Sequence, residues 1–274
     1  MKKADIEVNL IESMGSDLSV ANAARVSFDK VSELVDGKLK QADVNLINFL
    51  ARGLTTDDFK SFVEEIAVLG EIIGEGISRD YRDKQTVKLI KLLWEWRQTP
   101  EHFVPFCHPH ISFRIKIPIA IARQIGKHQV GFSLSEESRR YVTDEPEFYF
   151  PDMWRKAAEN KKQGSLNEGI VSVDGFIGNT YTSPQKLAEM AVDTSLECYK
   201  KLLAGGVCAE QARFILPQNM MTQWVWTGSL WGFARVCKQR LRNDAQKESR
   251  DFAKLISNHM EKLFPVSWEA LVKI

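Results

Sequence analysis

The residues best suited to chemistry are concentrated in one segment, RQIGKHQVGFSLSEESRRY at 123–141, called the basic stretch below. It combines arginines, a lysine and a histidine with serine hydroxyls and with two adjacent carboxylates, Glu136 and Glu137. Cations and hydroxyls donate strong hydrogen bonds to phosphate oxygens, and carboxylates accept from a sugar hydroxyl or a base N–H. The stretch therefore suits a phosphorylated ligand, and its alternative interpretation is a solvated, charged helix face.

Three further segments carry polar groups that an apolar core would not need. AARVSF contains Arg25 and Ser27, ARFILPQN contains Arg213, and CKQRLRNDAQKE contains Lys238 and Arg240. An arginine near a helix end is usually a solvated partner of the helix dipole, so none of these segments defines a site alone. The chain has no nucleophile elbow, Walker loop, HExxH or GxGxxG motif. Any nucleotide cofactor must therefore be held by side chains and loops.

Composition narrows the class of protein. The 274 residues are 44% hydrophobic and 27% charged, as expected for a soluble globular protein with one large or two modest domains. A formal net charge of +1 gives no global attraction to nucleic acid or to an anionic membrane, so we expect neither as a partner. No apolar run approaches the roughly 18 residues of a spanning helix, and no signal-peptide segment is present, which predicts a cytoplasmic protein.

The cysteines indicate reduced thiols. Cys107, Cys198, Cys208 and Cys237 lie far apart and form no CxxC pair, which argues against a zinc site or a disulfide framework. Cys107 and its neighbouring histidines could ligate a metal, but they lack a second ligand pair. We therefore expect no bound metal.

A strand and a helix must position the basic stretch. In HISFRIKI the alternation places Ile111, Phe113, Ile115 and Ile117 on one face of a strand. Pro118 suits the first turn of the following helix, IAIARQIGKH. The pattern predicts that the basic stretch begins near the end of a helix that follows a buried strand.

Helices account for most of the remaining pattern. Asp17 is the expected N-cap of the first helix, and Ser183 opens a long helix that Gly205 closes. MTQWVWT predicts a strand, and LWGFARVCKQRLR and AQKESRDFAKLISNHMEKL predict helices. A helical hairpin is expected at about 51–90 and a long surface loop at about 160–178.

Taken in order, these segments resemble the family of flavin-dependent thymidylate synthases, known as ThyX. The family's MGxDLSxxxAARVSF corresponds to residues 14–28, and its TPFxH followed by a strand corresponds to VPFCHPHISFRIKIP at 104–118. Its ARQxxRHR segment ending in RY corresponds to residues 122–141. Its ARxxLPxN matches ARFILPQN at 212–219, and its AQxE matches AQKE at 245–248.

The resemblance implies a fold and a reaction. The fold would be α+β, a mixed or antiparallel sheet flanked by helices, in a single catalytic domain over residues 1–274 with the hairpin and the loop as insertions. The reaction would be the reductive methylation of dUMP to dTMP, with 5,10-methylenetetrahydrofolate as carbon donor and NADPH as reductant through FAD. The enzyme would be a homotetramer whose active sites lie between subunits.

The resemblance also assigns residues. Arg240 would be the catalytic group, because a permanently protonated arginine can stabilise negative charge on the uracil ring. The residues implied for dUMP are Gln124, Lys127, Glu136, Glu137, Ser138, Arg139, Arg140, Arg213 and Arg240. Those implied for FAD are Ser27, Val104, Lys127, His128, Gln129, Glu136, Ser229, Leu230, Trp231 and Arg235.

The chain departs from the family pattern in places that keep alternatives open. KHQ at 127–129 replaces the family's RHR, Val104 replaces a threonine, and one residue is inserted before Ser138, which leaves the role of Glu136 open against that of Glu137. One alternative is a flavin-dependent pyrimidine-nucleotide modifying enzyme with an altered substrate. Another is a non-catalytic nucleic-acid binder that stacks bases on the tryptophans at 224, 226 and 231.

Overall fold

The computed structural model describes residues 1–53, 60–61, 63–68, 84, 86–88, 102–159, 165–175 and 180–272, and it confirms the α+β class. The strands are β1 Lys2–Lys3, β2 Glu7–Met14, β3 His110–Pro118, β4 Phe132–Glu136, β5 Glu147–Phe148, β6 Arg155–Ala157, β7 Ser165–Gly169, β8 Val173–Asp174, β9 Tyr181–Thr182 and β10 Met221–Ser229. The α-helices are α1 Asp17–Arg25, α2 Gln41–Arg52, α3 Ile119–Ile125, α4 Pro184–Ala204, α5 Ala209–Ala212, α6 Leu230–Arg240, α7 Lys247–Leu263 and α8 Pro265–Val272. Short 3-10 helices cover Val26–Phe28, Val104–Cys107 and Arg213–Ile215.

The chain divides into two compact units, each built from separate segments. The first unit comprises Met1–Glu12, Ile111–Gly228 and Arg235–Ser257, and the second comprises Ser13–His110, Ser229–Ala234 and Asn258–Ile274.

The main sheet of the first unit has the strand order β2-β3-β10-β4. The four apolar residues that alternate along β3 are all buried, as the sequence predicts. β10 pairs antiparallel with β4, and Trp226 lies opposite Leu134 in the register. Trp224 and Trp226 are buried, and the Trp226 ring stacks on Phe132 with 4.3 Å between centroids. These two tryptophans therefore offer no surface for stacking nucleic-acid bases, and of the three aromatics of the nucleic-acid alternative only Trp231 is partly exposed.

The long helix α4 begins and ends where the sequence predicts. The Ser183 hydroxyl accepts a hydrogen bond from the N–H of Lys186 at 3.1 Å, which satisfies one of the unpaired N–H groups of the first turn. Val192, Leu196 and Tyr199 form its buried side, in a cluster that includes Leu216. The same helix leaves Met190 exposed on its other side.

In the second unit Asp17 has a different role from the one predicted. The N-cap of α1 is Ser16, whose N–H donates to the hydroxyl of Ser19 at 3.0 Å. Asp17 is buried, and its carboxylate oxygens each accept one N–H, from Val266 and from Ser267, at 2.9 Å. A carboxylate at a helix N-terminus satisfies free N–H groups and complements the helix dipole. Asp17 therefore caps α8, a helix distant in sequence.

Two predicted insertions are only partly covered. Within the predicted hairpin at 51–90, residues 51–52 are the end of α2, Gly53 follows it, residues 60–61, 63–68, 84 and 86–88 are helical, and the other residues lie outside the described ones. The prediction of a loop at 160–178 was wrong in part, because β7 pairs antiparallel with β6 and β8 pairs with β9. β7 has almost no buried face, so no alternation of apolar residues could reveal it.

A helix that crosses a bilayer must be both long and predominantly apolar. No helix of the described residues meets both conditions.

Candidate active site

The basic stretch is a helix end, a turn and an edge strand. α3 ends at Ile125, and the chain turns through Gly131, whose positive φ of 82° is a conformation that favours glycine. β4 then follows as the last strand of the sheet order. The alternative of a solvated helix face is therefore wrong, because only the first residues of the stretch are helical.

Arg240 joins two parts of the basic stretch. It is the last residue of α6, where a cation is favoured by the helix dipole. Its Nε donates to His128 Nε2 at 3.2 Å, and its Nη2 donates to the carbonyl oxygen of Gln124 at 3.2 Å. Two guanidinium nitrogens thus hold Arg240 against the stretch, and further N–H groups of the same fork remain for a ligand.

His128 is held in its neutral form. Partial burial, followed by the charges of Arg240 and Arg235, lowers the pKa of its imidazole. Its Nε2 accepts from Arg240, so the ring proton lies on Nδ1. A neutral histidine beside two arginines keeps this part of the site from accumulating a third positive charge.

The free energy of unfolding should fall as the pH is lowered through about 6.5, the ordinary pKa of histidine. The folded pKa of His128 is lowered, so the unfolded chain binds more protons in this window and acid favours unfolding. His128→Gln should flatten the pH dependence, as measured by urea unfolding between about pH 5 and about pH 8. His108 is exposed, and His108→Gln serves as the control. Equal flattening in both variants would contradict the assignment.

The side chain of Gln124 is fixed by Gln246, the residue just before α7, and by Ser249 in the first turn of α7. Its Nε2 donates to Gln246 Oε1 at 2.6 Å, and its Oε1 accepts from the hydroxyl of Ser249 at 3.2 Å. Gln246 Nε2 in turn donates to Glu248 at 2.9 Å, and Arg155 grips the same carboxylate through two bonds of 2.8 and 3.0 Å. Gln124 is therefore the end of a chain of hydrogen bonds that starts at Arg155.

Glu248 is ionised within this chain. Burial by itself favours the neutral acid, but hydrogen bonds from Arg155, from its own backbone N–H and from Gln246 outweigh burial and lower the pKa of the carboxyl. The ion pair conversely raises the pKa of the Arg155 guanidinium. The pair is a bidentate arginine–carboxylate contact, the geometry that orients both partners most strongly.

The two candidate carboxylates of the basic stretch have different surroundings. Glu136 Oε1 accepts from the Thr222 hydroxyl at 2.7 Å, which anchors the carboxylate to β10. Glu137 donates its backbone N–H to the carbonyl of Gln223 at 2.8 Å and lines a polar cavity of about 190 Å³. Arg139 lines the same cavity. A ligand could thus use either carboxylate, and the inserted residue leaves that choice open.

The other cationic residues implied for dUMP belong either to the basic stretch or, in the case of Arg213, to a separate 3-10 helix. The Arg140 Nε donates to the Ser138 hydroxyl at 3.1 Å, and its guanidinium lies 4.9 Å from the centre of the Tyr141 ring. Arg139 Nη1 donates to the carbonyl of Asp144. Lys127 and Gln129 are exposed at the turn. Arg213 instead belongs to a 3-10 helix that packs against α4 and α5, where its Nε donates to the Glu210 carbonyl at 3.2 Å.

The second unit holds Ser27 in a short turn that a buried carboxylate supports. Ser27 is exposed on the 3-10 helix that follows α1. The preceding Arg25 donates from Nε to Asp43 Oδ1 at 2.7 Å, and Ser32 donates its hydroxyl to the same oxygen at 2.7 Å. Asp43 is 0% exposed and the Arg25 side chain is 23% exposed, so this partly buried pair anchors the AARVSF segment.

The other flavin candidates of the second unit surround an aromatic pair. The rings of Phe103 and Trp231 stack with 5.6 Å between centroids. Val104 is 57% exposed. The Ser229 hydroxyl accepts from the N–H of Gly232 at 3.1 Å, and Leu230 is 0% exposed with its N–H bonded to the Pro109 carbonyl. Ser229 and Leu230 thus act mainly on the start of α6.

The structure brings some candidates into contact and adds residues that sequence reasoning missed. Gln124, His128 and Arg240 are bonded together, whereas Arg213 of the same unit bonds to the Glu210 carbonyl in the 3-10 helix that packs against α4 and α5. Asp43 and Arg155 were not recognised as supports because nothing near them in sequence marks them, and Ser249 was missed although it directly follows the AQKE block. Gln246 and Glu248 had a signal, since both belong to the AQKE block.

The possible metal ligands do not assemble into a site. Among the residues that the structure covers, no group of three or more His, Cys, Asp or Glu side chains is arranged to hold a metal ion. His110 Nδ1 contacts the backbone carbonyl of His108 at 3.0 Å. Burial raises the pKa of the Cys107 thiol despite a hydrogen bond with Ser229, which favours the thiol over the nucleophilic thiolate.

Comparison with known proteins places this arrangement in context. Residues 9–266 match the family model Thy1, described as thymidylate synthase complementing protein. A flavin-dependent thymidylate synthase of Kosmotoga olearia is 28% identical over 267 residues, covering 97% of this chain and 89% of that protein. The enzyme of the same name from Thermosipho africanus is 34% identical over 200 residues, covering 73% of this chain and 81% of that protein.

The fold is also similar to a solved structure. A UMP/dUMP methylase, PolB, from Streptomyces cacaoi, crystallised with 5-bromo-dUMP, superposes with a TM-score of 0.67 at 25% identity. The match covers 98% of this chain and 96% of that protein.

Proposed function

The chain belongs to the Thy1 family of flavin-dependent thymidylate synthases, and from this membership we propose which of its side chains carry the reaction. The activity is the reductive methylation of dUMP to dTMP with 5,10-methylenetetrahydrofolate as carbon donor and NADPH as reductant, and FAD, when bound, supplies the hydride chemistry. The observation that carries the assignment is the contact of Arg240 with both His128 and Gln124.

Arg240 is proposed to bind the uracil ring and to stabilise the negative charge that develops on it. A guanidinium remains protonated throughout, so its effect is purely electrostatic. Its Nε and one Nη2 hydrogen are used by the two protein contacts, and the other N–H groups of the fork are proposed to donate to the uracil ring. Neutral His128 then accepts from Arg240 without adding charge.

The 5′-phosphate of dUMP is proposed to bind Lys127, Arg140 and Arg213. A phosphate dianion needs several donors, and an arginine can supply two parallel bonds where a lysine supplies a point charge. Ser138 already bonds to Arg140 Nε and would hold that guanidinium ready for the phosphate. Gln124, Arg139 and one of the carboxylates Glu136 and Glu137 are proposed to bind the remaining polar groups of the nucleotide.

Each unit contains residues whose chemistry suits one part of FAD. In the second unit, the exposed hydroxyl of Ser27, the apolar Val104 and the stacked Trp231 match a planar ring system with a polar edge. In the first unit, Lys127, Gln129 and Arg235 are exposed donors of the kind that bind a diphosphate. Ser229 and the fully buried Leu230 would contribute by fixing the start of α6.

We also propose that the enzyme works as a homotetramer in the cytoplasm. Arg213 precedes Phe214 and Ile215, which are 75% and 39% exposed, and Met190 of α4 is exposed as well. An apolar surface of this kind supports a subunit contact that would carry Arg213 into the site of a neighbouring chain. The four cysteines are free, which suits a reducing compartment.

The proposed reaction is tested with purified protein. We expect flavin absorbance, retained or gained on adding FAD, and dTMP formation when dUMP, methylenetetrahydrofolate and NADPH are supplied. A colourless protein that binds no FAD would count against the assignment.

A second arm replaces dUMP by UMP. The similarity to a UMP/dUMP methylase favours this comparison. Flavin binding with methylation of UMP and none of dUMP would support the pyrimidine-nucleotide modifying enzyme with altered substrate.

A further inference from the structure

A chain of polar side chains leads from the β6–β7 hairpin to Gln124. Arg155 of β6 is bonded to the hairpin by its Nε, which donates to the Ser165 hydroxyl at 2.7 Å. Its two other nitrogens donate to the carboxylate of Glu248. Glu248 also accepts a hydrogen bond from Gln246, and Gln246 accepts one from Gln124. These residues all belong to the first unit.

The carboxylate at one end sets the direction of every bond that follows. An ionised carboxylate can only accept, so Gln246 must turn its NH₂ group toward Glu248 and its oxygen toward Gln124. Gln124 must then turn its own NH₂ group toward Gln246. Ser249 donates its hydroxyl to the side-chain oxygen of Gln124, which agrees with the same orientation. A glutamine amide can otherwise flip by half a turn with little change in shape.

This order has a consequence for a ligand of Gln124. An amide group offers two N–H donors and two acceptor positions. With one donor bonded to Gln246 and one acceptor position bonded to Ser249, Gln124 presents a defined donor and a defined acceptor to a bound nucleotide. The backbone carbonyl of the same residue also holds Arg240.

We propose that Gln246 and Glu248 are positioning residues for dUMP binding, and that Arg155, carried by the β6–β7 hairpin, anchors them. They act through Gln124 and do not touch the substrate. The inference deepens the proposed function and rests on the assignment of Gln124 to dUMP. It also gives a role to the inserted segment that contains β7.

The position of Gln246 makes the proposal testable without unfolding the protein. Gln246 is exposed and lies just before α7, and only its backbone oxygen takes part in that helix, accepting from the N–H of Arg250 at 2.9 Å. Gln246→Met keeps the length of the side chain and removes both polar contacts. Lys247→Met changes the adjacent residue in the same way and breaks only an ion pair with Asp251.

The experiment measures the dissociation constant of dUMP on the FAD-loaded enzyme by calorimetry. Gln246→Met should weaken dUMP binding about 5- to 10-fold, the effect of one lost orienting hydrogen bond or somewhat more. Lys247→Met should remain within about twofold of the wild type. Arg155→Met removes the anchor from a distance and should weaken binding in the same direction by a smaller factor.

A double-variant cycle separates positioning from general stability. Gln124→Met should weaken dUMP binding by itself, and adding Gln246→Met should cause no further loss, because the second residue acts only through the first. Full additivity of the two effects would overturn the inference. So would normal dUMP binding by Gln246→Met alongside impaired binding by Gln124→Met, with the proposed function intact. Normal binding by Gln124→Met would instead overturn the assignment of Gln124 and the inference together.

Discussion

Replacing Arg240 by alanine lowers the rate of dTMP formation by about 10²- to 10³-fold, the usual cost of removing one preorganised group that stabilises transition-state charge. Arg240 bonds to both His128 and Gln124, so the guanidinium is held before substrate binds. We expect FAD binding and the subunit assembly to persist, because the residue ends a helix whose buried face lies elsewhere. Single-turnover and steady-state assays of dTMP measure the effect.

Two variants show whether the fork of Arg240 or only its charge is required. Arg240→Lys keeps a positive charge and loses the paired N–H groups, so we expect an intermediate rate. Arg242→Ala is the matched control, since Arg242 lies two residues further along, is exposed and pairs with Asp244. Near-normal turnover of Arg240→Ala would refute the catalytic role of Arg240.

Replacing Asp43 by alanine destabilises the folded protein by about 3 kcal/mol, the lower end of the range for breaking a buried ion pair, because the partly buried Arg25 is left without its partner. Asp43 Oδ1 accepts from both Arg25 and Ser32, and Asp43 has no exposed surface. The same change should weaken retention of FAD, since Arg25 leads directly into the turn that carries Ser27. Urea unfolding and flavin content after gel filtration measure the two effects.

A control and a double variant show whether the Arg25–Asp43 pair acts on FAD binding by positioning Ser27 or only through the stability of the fold. Glu33→Ala removes an exposed carboxylate next to Ser32 and should change neither property. Arg25→Met combined with Asp43→Leu replaces the pair by apolar side chains and should recover much of the lost stability. If the recovered protein also retains FAD at the wild-type level, the Arg25–Asp43 pair has no role in presenting Ser27.

Several elements could be predicted because they depend on local chemistry. The alternation in HISFRIKI reflects a strand with one face in the core, and all four of its apolar residues are buried. Ser183 predicts the start of α4 because a hydroxyl at that position can bond a free N–H of the first turn. The β6–β7 hairpin escaped prediction because an exposed strand has no apolar face to repeat.

The candidate site likewise has a part that the sequence predicts and a part that it does not. The basic stretch and Arg240 could be recognised from residue types and their order along the chain. The partners of those residues could not, because hydrogen bonds such as that between Arg240 and His128 join positions more than one hundred residues apart. Asp17 shows the point most simply, since its neighbours in sequence predict a cap for α1 and its carboxylate caps α8.

The amino-acid sequence by itself therefore determined the fold class and the family, and it supplied the candidates for binding a nucleotide and a flavin. These properties follow from periodicity, composition and motif order, which are local along the chain. Only the tertiary structure decided which side chains meet, how the amide of Gln124 is oriented and which carboxylates are buried. Those outcomes depend on packing between distant segments. The amide of Gln124, for example, is oriented by the negative charge of Glu248, which acts through Gln246.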